Sequence, residues 1–400
     1  MRTIVTAIKT GEWRTPEILL YLMAASMPFS FGVWMALLNN FAIEQAAFTG
    51  ADMGILQSLR EIPGFLSFAV VFLLLIFREQ TLAILSLLIL GLGVVLTGFF
   101  PSFWGLCITT MIMSIGFHYF EAVNQSLQLQ WLDKDKAPEL LGKLISVGAC
   151  SSLLAYSMVY ITLELFDLSM MTLYIIGGSV TMTIAAFAWF QFPHFPAKVE
   201  QNKSLVLRKR YWLYYLLVFM SGSRRQIFVV FAGFLMVEKF GFSASQVALM
   251  FLANMVANIY IAPKIGKLIS FIGERQTLTL EYVGLILVFV GYALVESAAW
   301  AVVLYILDHL FFAMAIALKT YFQKIADPAD IAPTAGVSFS ISHIAAVVVP
   351  VVFGYIWLVS PSAVFYAGAI MAAISLILAR VVPEKPEAGR ETNIQAVFSR

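Results

Sequence analysis

Charged residues are scarce in this sequence. Asp, Glu, Lys and Arg make up 12% of its 400 residues, where a water-soluble domain carries about 25%. That deficit excludes an ordinary soluble domain. The net charge of +2, without a basic tail or interleaved basic and aromatic residues, excludes nucleic acid as a partner. Cysteine is nearly missing: Cys107 and Cys150 both fall in apolar runs, with no disulfide or metal spacing, and are expected to be packing residues. The N-terminal "MRTIVTAIKTGEWRTPE" lacks the apolar core and cleavage site of a signal peptide; it reads as an interfacial helix with Trp13 at headgroup level and Lys9 and Arg14 on the wet side. No phosphate-cradling glycine loop, metal-ligand cluster or nucleophile triad occurs. The expectation is therefore no enzyme, no catalytic residue, no bound metal and no cofactor.

Apolar sequence is abundant instead. Hydrophobic residues make up 61% of the chain and the mean hydropathy is +0.88. They gather in runs of about 20 residues, the length of a membrane-crossing helix, rather than in alternating ten-residue strands. Twelve runs stand out, at 17–40, 51–77, 80–100, 102–131, 140–165, 169–192, 211–237, 244–268, 277–296, 299–323, 333–359 and 361–382. The single long polar connection divides them six and six. The expected fold is an all-α membrane protein with twelve transmembrane helices in two six-helix pseudo-symmetric bundles. The expected organisation is an N-terminal bundle at 1–192, a cytoplasmic linker at 193–210, a C-terminal bundle at 211–383 and a cytoplasmic tail at 384–400.

Lysine and arginine asymmetry orients the runs. With the N-terminus inside, Arg78, Lys134, Lys136, Lys143, Lys198, Lys203, Arg208, Lys209, Arg210, Lys264, Lys267, Arg275, Lys324 and Arg380 fall on cytoplasmic segments, and Lys239 alone lies outside. Both termini are then cytoplasmic, and a cell (inner) membrane is the expected location. The halves also repeat. "REQTLAI" from Arg78 matches "ERQTLTL" from Glu274 at an offset of 196, and Asp133 with Gly142 matches Asp327 with Gly336 at 194. His118, Phe120 and Ala122 recur as His309, Phe311 and Ala313 at 191. Parallel six-helix repeats build one transporter architecture in particular, with the substrate site between them near the midplane.

On this topology, and on the loop "GKLISFIGER" (Gly266 to Arg275), the sequence resembles the major facilitator superfamily over essentially its whole length. Gly266, Leu268, Gly273 and Arg275 match the family's cytoplasmic signature G-x-L-x-D-R-x-G-R-[KR]; Ser270, Phe271 and Glu274 replace its aspartate and two arginines. The equivalent loop after the second run has lost the signature. The fifth run has no Gly-Pro element of the drug-proton antiporters, and the fourth has His118 and Glu121 where many proton-coupled members carry arginine. The resemblance implies that runs 1, 4, 7 and 10 line a central cavity, with alternating access between the halves and a monomer embedded in the lipid bilayer.

Charged groups inside the spans are costly, about 2.5–3.5 kcal/mol each on insertion scales, and usually face the bundle interior. Arg224 and Arg225, in "FMSGSRRQIFVVF", are the most conspicuous. Neighbours on a helix point about 100° apart, so one is expected to clamp an anionic substrate and the other to pair with a carboxylate; Arg224 is assigned the clamp and Arg225 the pair. The alternative is two buried ion pairs with Asp308 and Glu121. In the fourth run His118, Glu121, Gln125 and Gln128 share one helical face, with Glu121 a proton carrier or a permanent partner of an arginine. Asp308 and His309 either couple protons or serve as counter-ion and packing residue. Arg60, Glu61 and His343 are gating or ion-pair residues, with an interface histidine as the plain reading of His343. Glu281 is expected to snorkel or to pair with Lys267 or Arg275, and Asn254 and Asn258 to hydrogen-bond the other half. Gln125, Gln128 and Gln226 are neutral substrate contacts, and Phe31, Trp34 and Tyr119 apolar walls.

Together these features suggest a secondary active transporter that moves a small organic solute, an amphipathic anion, with proton coupling. Two alternatives stand beside it: proton-driven efflux of apolar or cationic compounds recognised by Glu121 and Asp308, and a non-transporting scaffold or sensor with the same fold.

Overall fold

The computed structural model describes residues 13–131, 137–196, 207–327 and 330–393. The expected interfacial helix before Trp13, the repeat partner Asp133, the lysines at 134, 136, 198 and 203, and the side chain of Asn258 lie outside the described residues. All twelve runs are helical. They form α1 (Pro16–Ala46), α2 (Gly50–Phe65), α3 (Val70–Leu73), α4 (Glu79–Thr97), α5 (Phe103–Trp131), α6 (Ala137–Phe166), α7 (Met170–Gln191), α8 (Trp212–Gln226), α9 (Gly233–Glu238), α10 (Ala244–Ile272), α11 (Glu274–Leu294), α12 (Ala298–Ala313), α13 (Ile316–Ile325), α14 (Ile331–Val359) and α15 (Pro361–Val381). The fold is the all-α membrane architecture of twelve crossing helices in two six-helix bundles; ten helical stretches among the described residues are long and apolar enough to cross by themselves.

Local chemistry sets the helix ends. Thr15 caps α1 by accepting a 3.3 Å bond from the Ile18 N–H, with Pro16 in the first turn. Ser169 caps α7 and Ser360 caps α15 in the same way, with Pro361 again at the start. Gly273, the glycine of the loop signature, opens α11 at φ 80°, a left-handed conformation that glycine adopts without a Cβ clash.

Three of the twelve crossings are not continuous α-helix. Run 2 passes from α2 through a 3-10 turn at Leu66–Ala69 into α3, just after the Pro63-Gly64 pair. Run 7 carries a π-helical stretch, Ile227–Ala232, between α8 and α9, beginning two residues after Arg225. Run 10 breaks at Met314 and Ala315 between α12 and α13. Runs 7 and 10 are the two that the family resemblance assigns to the cavity from this half of the chain.

Close packing groups the chain into two compact units. The first comprises residues 1–47, 66–202 and 243–252. Its core is built by Leu19 and Met23 of α1, Leu82 and Leu87 of α4, Phe120 and Leu127 of α5, and Ala185 and Ala188 of α7. Glycines let the backbones touch: a Cβ on Gly178 would stand 2.3 Å from the Gly91 carbonyl oxygen.

The second unit comprises 48–65, 203–242 and 253–400. Here α2 packs along α14 through a four-residue repeat of small groups, Gly50, Gly54 and Ser58. A Cβ on Gly50 would lie 2.2 Å from the Trp357 ring and one on Gly54 2.2 Å from the Pro350 oxygen. Ser58 Oγ accepts a 3.1 Å bond from the Val351 N–H, at the point where Pro350 interrupts the α14 ladder.

Elsewhere in this unit, just before α8, Arg208 grips Asp330 with both fork nitrogens, at 2.6 and 2.8 Å. The Tyr211 hydroxyl donates to the same carboxylate at 3.0 Å. Arg210 pairs with Asp327, and Arg275 with Glu384 at 3.3 Å. The two arginines of the "LRKRY" segment are thus bound to acidic groups rather than simply solvated.

Candidate functional site

In the first unit the expected cavity residues of α1 and α5 form a graded face. Phe31 stacks on Trp34 at 6.0 Å and on Phe117 at 4.6 Å. Trp34 is fully buried behind it, so Phe31, half-buried, is the member of the pair with an open face. His118 is buried, its Nδ1 3.0 Å from both the hydroxyl and the carbonyl oxygen of Ser114. Along the same face Glu121 is half-buried, Gln125 exposed and Gln128 half-buried, while Tyr119 packs on the unit's core. The polar stripe therefore runs from protein interior to open surface within ten residues.

In the second unit the two arginines part completely. Arg224 is 0% exposed, whereas Arg225 is exposed and makes no ion pair among the described residues. The expected roles are exchanged: Arg224 is the paired residue and Arg225 the open one. The reason is angular, because the inward face of α8 carries Leu217, Met220, Ser223 and Arg224, and the next position turns away from it. Gln226 is also buried, with its Oε1 unpaired.

The partner of Arg224 is neither Asp308 nor Glu121 but Glu281 of α11, whose Oε1 lies 3.6 Å from Nη2. Glu281 does not snorkel or pair with Lys267 or Arg275, as its sequence position suggests. It is 0% exposed, because α11 turns this position into the packing between α8 and α15. Arg224 also donates to Ser375 Oγ of α15 and lies 4.5 Å from the centre of the Tyr282 ring. Asp308 of α12 is fully buried within the electrostatic reach of Arg224, and neither of its carboxylate oxygens has a hydrogen-bond partner.

His309 is not the acid-base companion of Asp308. Its Nδ1 is 2.9 Å from the Tyr305 carbonyl oxygen, and its ring packs edge-on against Phe228 at 4.3 Å. The third group of charges is Arg60, Glu61 and His343. Arg60 donates to Glu61 at 2.5 and 3.1 Å, and the second Glu61 oxygen lies 3.6 Å from His343 Nε2. His343 is held at 2.8 Å from the Phe339 carbonyl oxygen on its other side. Of the cysteines, Cys107 is buried as expected of a packing residue, but Cys150 is exposed.

The sequence matches the model of the Major Facilitator Superfamily over residues 18–350. The chain belongs to that superfamily. It is therefore a multi-pass membrane transporter of small-molecule substrates and not an enzyme. Among solved structures, a mutant of the nucleoside transporter NupG is similar with a TM-score of 0.75 at 16% identity, over 91% of this chain and 99% of that one. A bacterial homologue of the human lysosomal transporter Spinster, inward-facing and occupied, is similar with a TM-score of 0.74 at 13% identity, over 91% and 95%. These likenesses establish the superfamily fold and leave the substrate open. No sequence among curated proteins matches the chain.

Against that superfamily fold, the residue whose partner the sequence misassigned is Glu281. Its signal was present: a carboxylate with no charged neighbour at three or four residues on its own helix has to find its partner on another one.

Proposed function

We propose that this superfamily member is a secondary active transporter of a small amphipathic organic anion. It works by alternating access with a proton as coupling ion, as a monomer in the cell (inner) membrane with both termini cytoplasmic. Arg225 carries the reading. A guanidinium stays charged at any physiological pH, so an exposed one in a membrane-crossing segment requires water or an anion beside it. Arg225 lies two residues before the π-helical stretch of run 7, and such stretches are frequent at functional sites. Within the first unit, taken by itself, Phe31 and Tyr119 offer aromatic surface and Gln125 and Gln128 neutral hydrogen bonds to a solute. Glu121 and Asp308 are the proton carriers. Efflux of cations is the weaker reading, because Asp308, one of the two carboxylates that would recognise a cation, is fully buried.

Purified protein in liposomes tests this with a panel of organic anions, cations and neutral solutes; nucleosides belong in it because NupG is a nucleoside transporter. The expected result is accumulation of an anion driven by an imposed pH gradient. Arg225→Lys, which keeps the charge and loses the planar fork, should raise the apparent KM roughly tenfold or more, the equivalent of losing a charge-assisted hydrogen bond. Movement of neutral or cationic solutes only, with Arg225→Ala unaffected, would refute the anion reading.

A further inference from the structure

Run 10 carries a histidine with one ring nitrogen fixed and the other unengaged. His309 Nδ1 lies 2.9 Å from the Tyr305 carbonyl oxygen. A carbonyl only accepts, so Nδ1 carries the proton, and in the neutral ring Nε2 is left as the lone-pair acceptor. Nε2 has no partner among the described residues and is not sealed: His309 is half-buried, while Asp308 beside it is fully buried. Aromatic neighbours fix the ring. Phe228, in the π-helical stretch of run 7, meets it edge-on at 4.3 Å, Tyr305 lies 4.5 Å away, and Phe312 stacks on Phe228 at 5.9 Å. The direction of the Nε2 lone pair is therefore set before any solute arrives, which lowers the ordering cost of binding to it.

The packing of α12 shows on which side this acceptor opens. One face meets α11, where a Cβ on Gly284 would touch the Phe311 ring and one on Gly291 the Leu304 side chain. A second face, Tyr305, His309 and Phe312, meets Phe228. Next to that second face Val302, Ile306, His309 and Ala313, spaced by four, three and four residues, form a half-buried stripe. The strongly exposed positions, Trp300 and Val303, lie round the other side of the helix. His309 thus stands at the edge of a sheltered stripe. An acceptor without a donor on a membrane-crossing helix requires water or the donor of a solute there.

We infer that His309 is a specificity-determining contact: its Nε2 accepts a hydrogen bond from a hydroxyl or N–H of the transported solute, whose aromatic part lies against the same ring cluster. The solute selected is then an aromatic anion that also carries a hydrogen-bond donor. This rests on the transport reading above and narrows it, because Arg225 recognises the acid group alone.

Diethyl pyrocarbonate, which acylates an accessible unprotonated imidazole nitrogen, is the first probe, with the modified residues of the purified full chain mapped by mass spectrometry. His309 should react, alongside the exposed His194. Reaction of His194 without His309 overturns the inference. Two matched pairs of anions are then compared for protection of His309 and for affinity: 4-hydroxyphenylacetate with 4-methoxyphenylacetate, and indole-3-acetate with 1-methylindole-3-acetate. In at least one pair the donor-bearing member should act at a concentration about tenfold lower, the equivalent of one hydrogen bond. His309→Asn keeps a donor for the Tyr305 carbonyl and removes Nε2, so it should equalise that pair. His309→Gln, whose amide oxygen reaches the place of Nε2, should restore the preference. No protection by any of the four, equal action within both pairs, or a preference retained in His309→Asn overturns the inference. Neutral 4-hydroxyphenylacetamide separates the two readings: protection equal to that of its acid would refute the anion and leave the role of His309 standing.

Discussion

Replacing Arg224 by alanine separates what the buried charges contribute from what packing contributes. The Arg224–Glu281 contact at 3.6 Å is worth about 4.6 kcal/mol of Coulomb energy at an effective dielectric of about 20. The loss has a ceiling, because a stranded carboxylate can take a proton instead. From an ordinary value near 4.3, protonation costs about 1.36 kcal/mol per pH unit, hence about 4.4 kcal/mol at pH 7.5 and about 1.6 at pH 5.5. The folded variant then holds a proton that its unfolded chain releases, so its stability relative to wild type improves as pH falls. Added to this is a pH-independent part of about 1–2 kcal/mol for the lost stacking on Tyr282. Denaturant titration in mixed micelles should show the deficit of Arg224→Ala shrinking by about 2.7 kcal/mol between pH 7.5 and 5.5. In Arg224→Ala/Glu281→Gln that pH dependence should vanish, because the extra proton is no longer needed. A deficit that is small, or equal at both pH values and in both variants, would mean that the cluster is hydrated and the burial argument is wrong.

In transport, Glu121→Gln or Asp308→Asn should abolish accumulation driven by a pH gradient while exchange of preloaded substrate continues; retention of uphill uptake in both would place the proton path elsewhere. Gly54→Ala should destabilise the second unit by about 1–3 kcal/mol, since its Cβ would meet the Pro350 carbonyl oxygen and α14 would have to move. Thermal melting in detergent checks that, and Gly148→Ala, a helical position whose Cβ would meet its nearest neighbours at 3.5 Å, controls for glycine replacement as such. Outside the crossings, the hydrogen-bonded Arg208 fork holds the Asp330 carboxyl below the usual carboxylate range. Its stabilisation is present above about pH 4, the ordinary carboxylate value, and is lost as pH falls through the lower folded value. Asp330→Asn should therefore melt earlier at neutral pH and lose this part of the acid sensitivity; an unchanged acid limb would show that the fork contributes nothing.

The sequence by itself determined everything that depends on the solvent around the chain. A bilayer requires runs of about 20 apolar residues with internally satisfied backbone, so run length, number and helicity could be read by inspection. The caps at Thr15, Ser169 and Ser360 and the left-handed Gly273 follow equally local rules. The presence of charges inside the runs was legible too, since each is an exception to that apolar rule.

Which charge faces which was decided only by the tertiary structure. Arg224 and Arg225 are chemically identical neighbours, and their fates differ through a rotation of about 100° on one helix and through the contacts that α11 and α15 make with one side of it. Glu281 read in sequence as an interfacial carboxylate and His309 as either a proton partner or a packing residue; packing placed the first in a buried ion pair with Arg224 and turned the second onto Phe228. Hydrophobicity is summed along a chain and survives small errors of angle, whereas an ion pair forms over a few ångströms between helices distant in sequence. The first kind of information is therefore written in composition, and the second exists only once the helices are in contact.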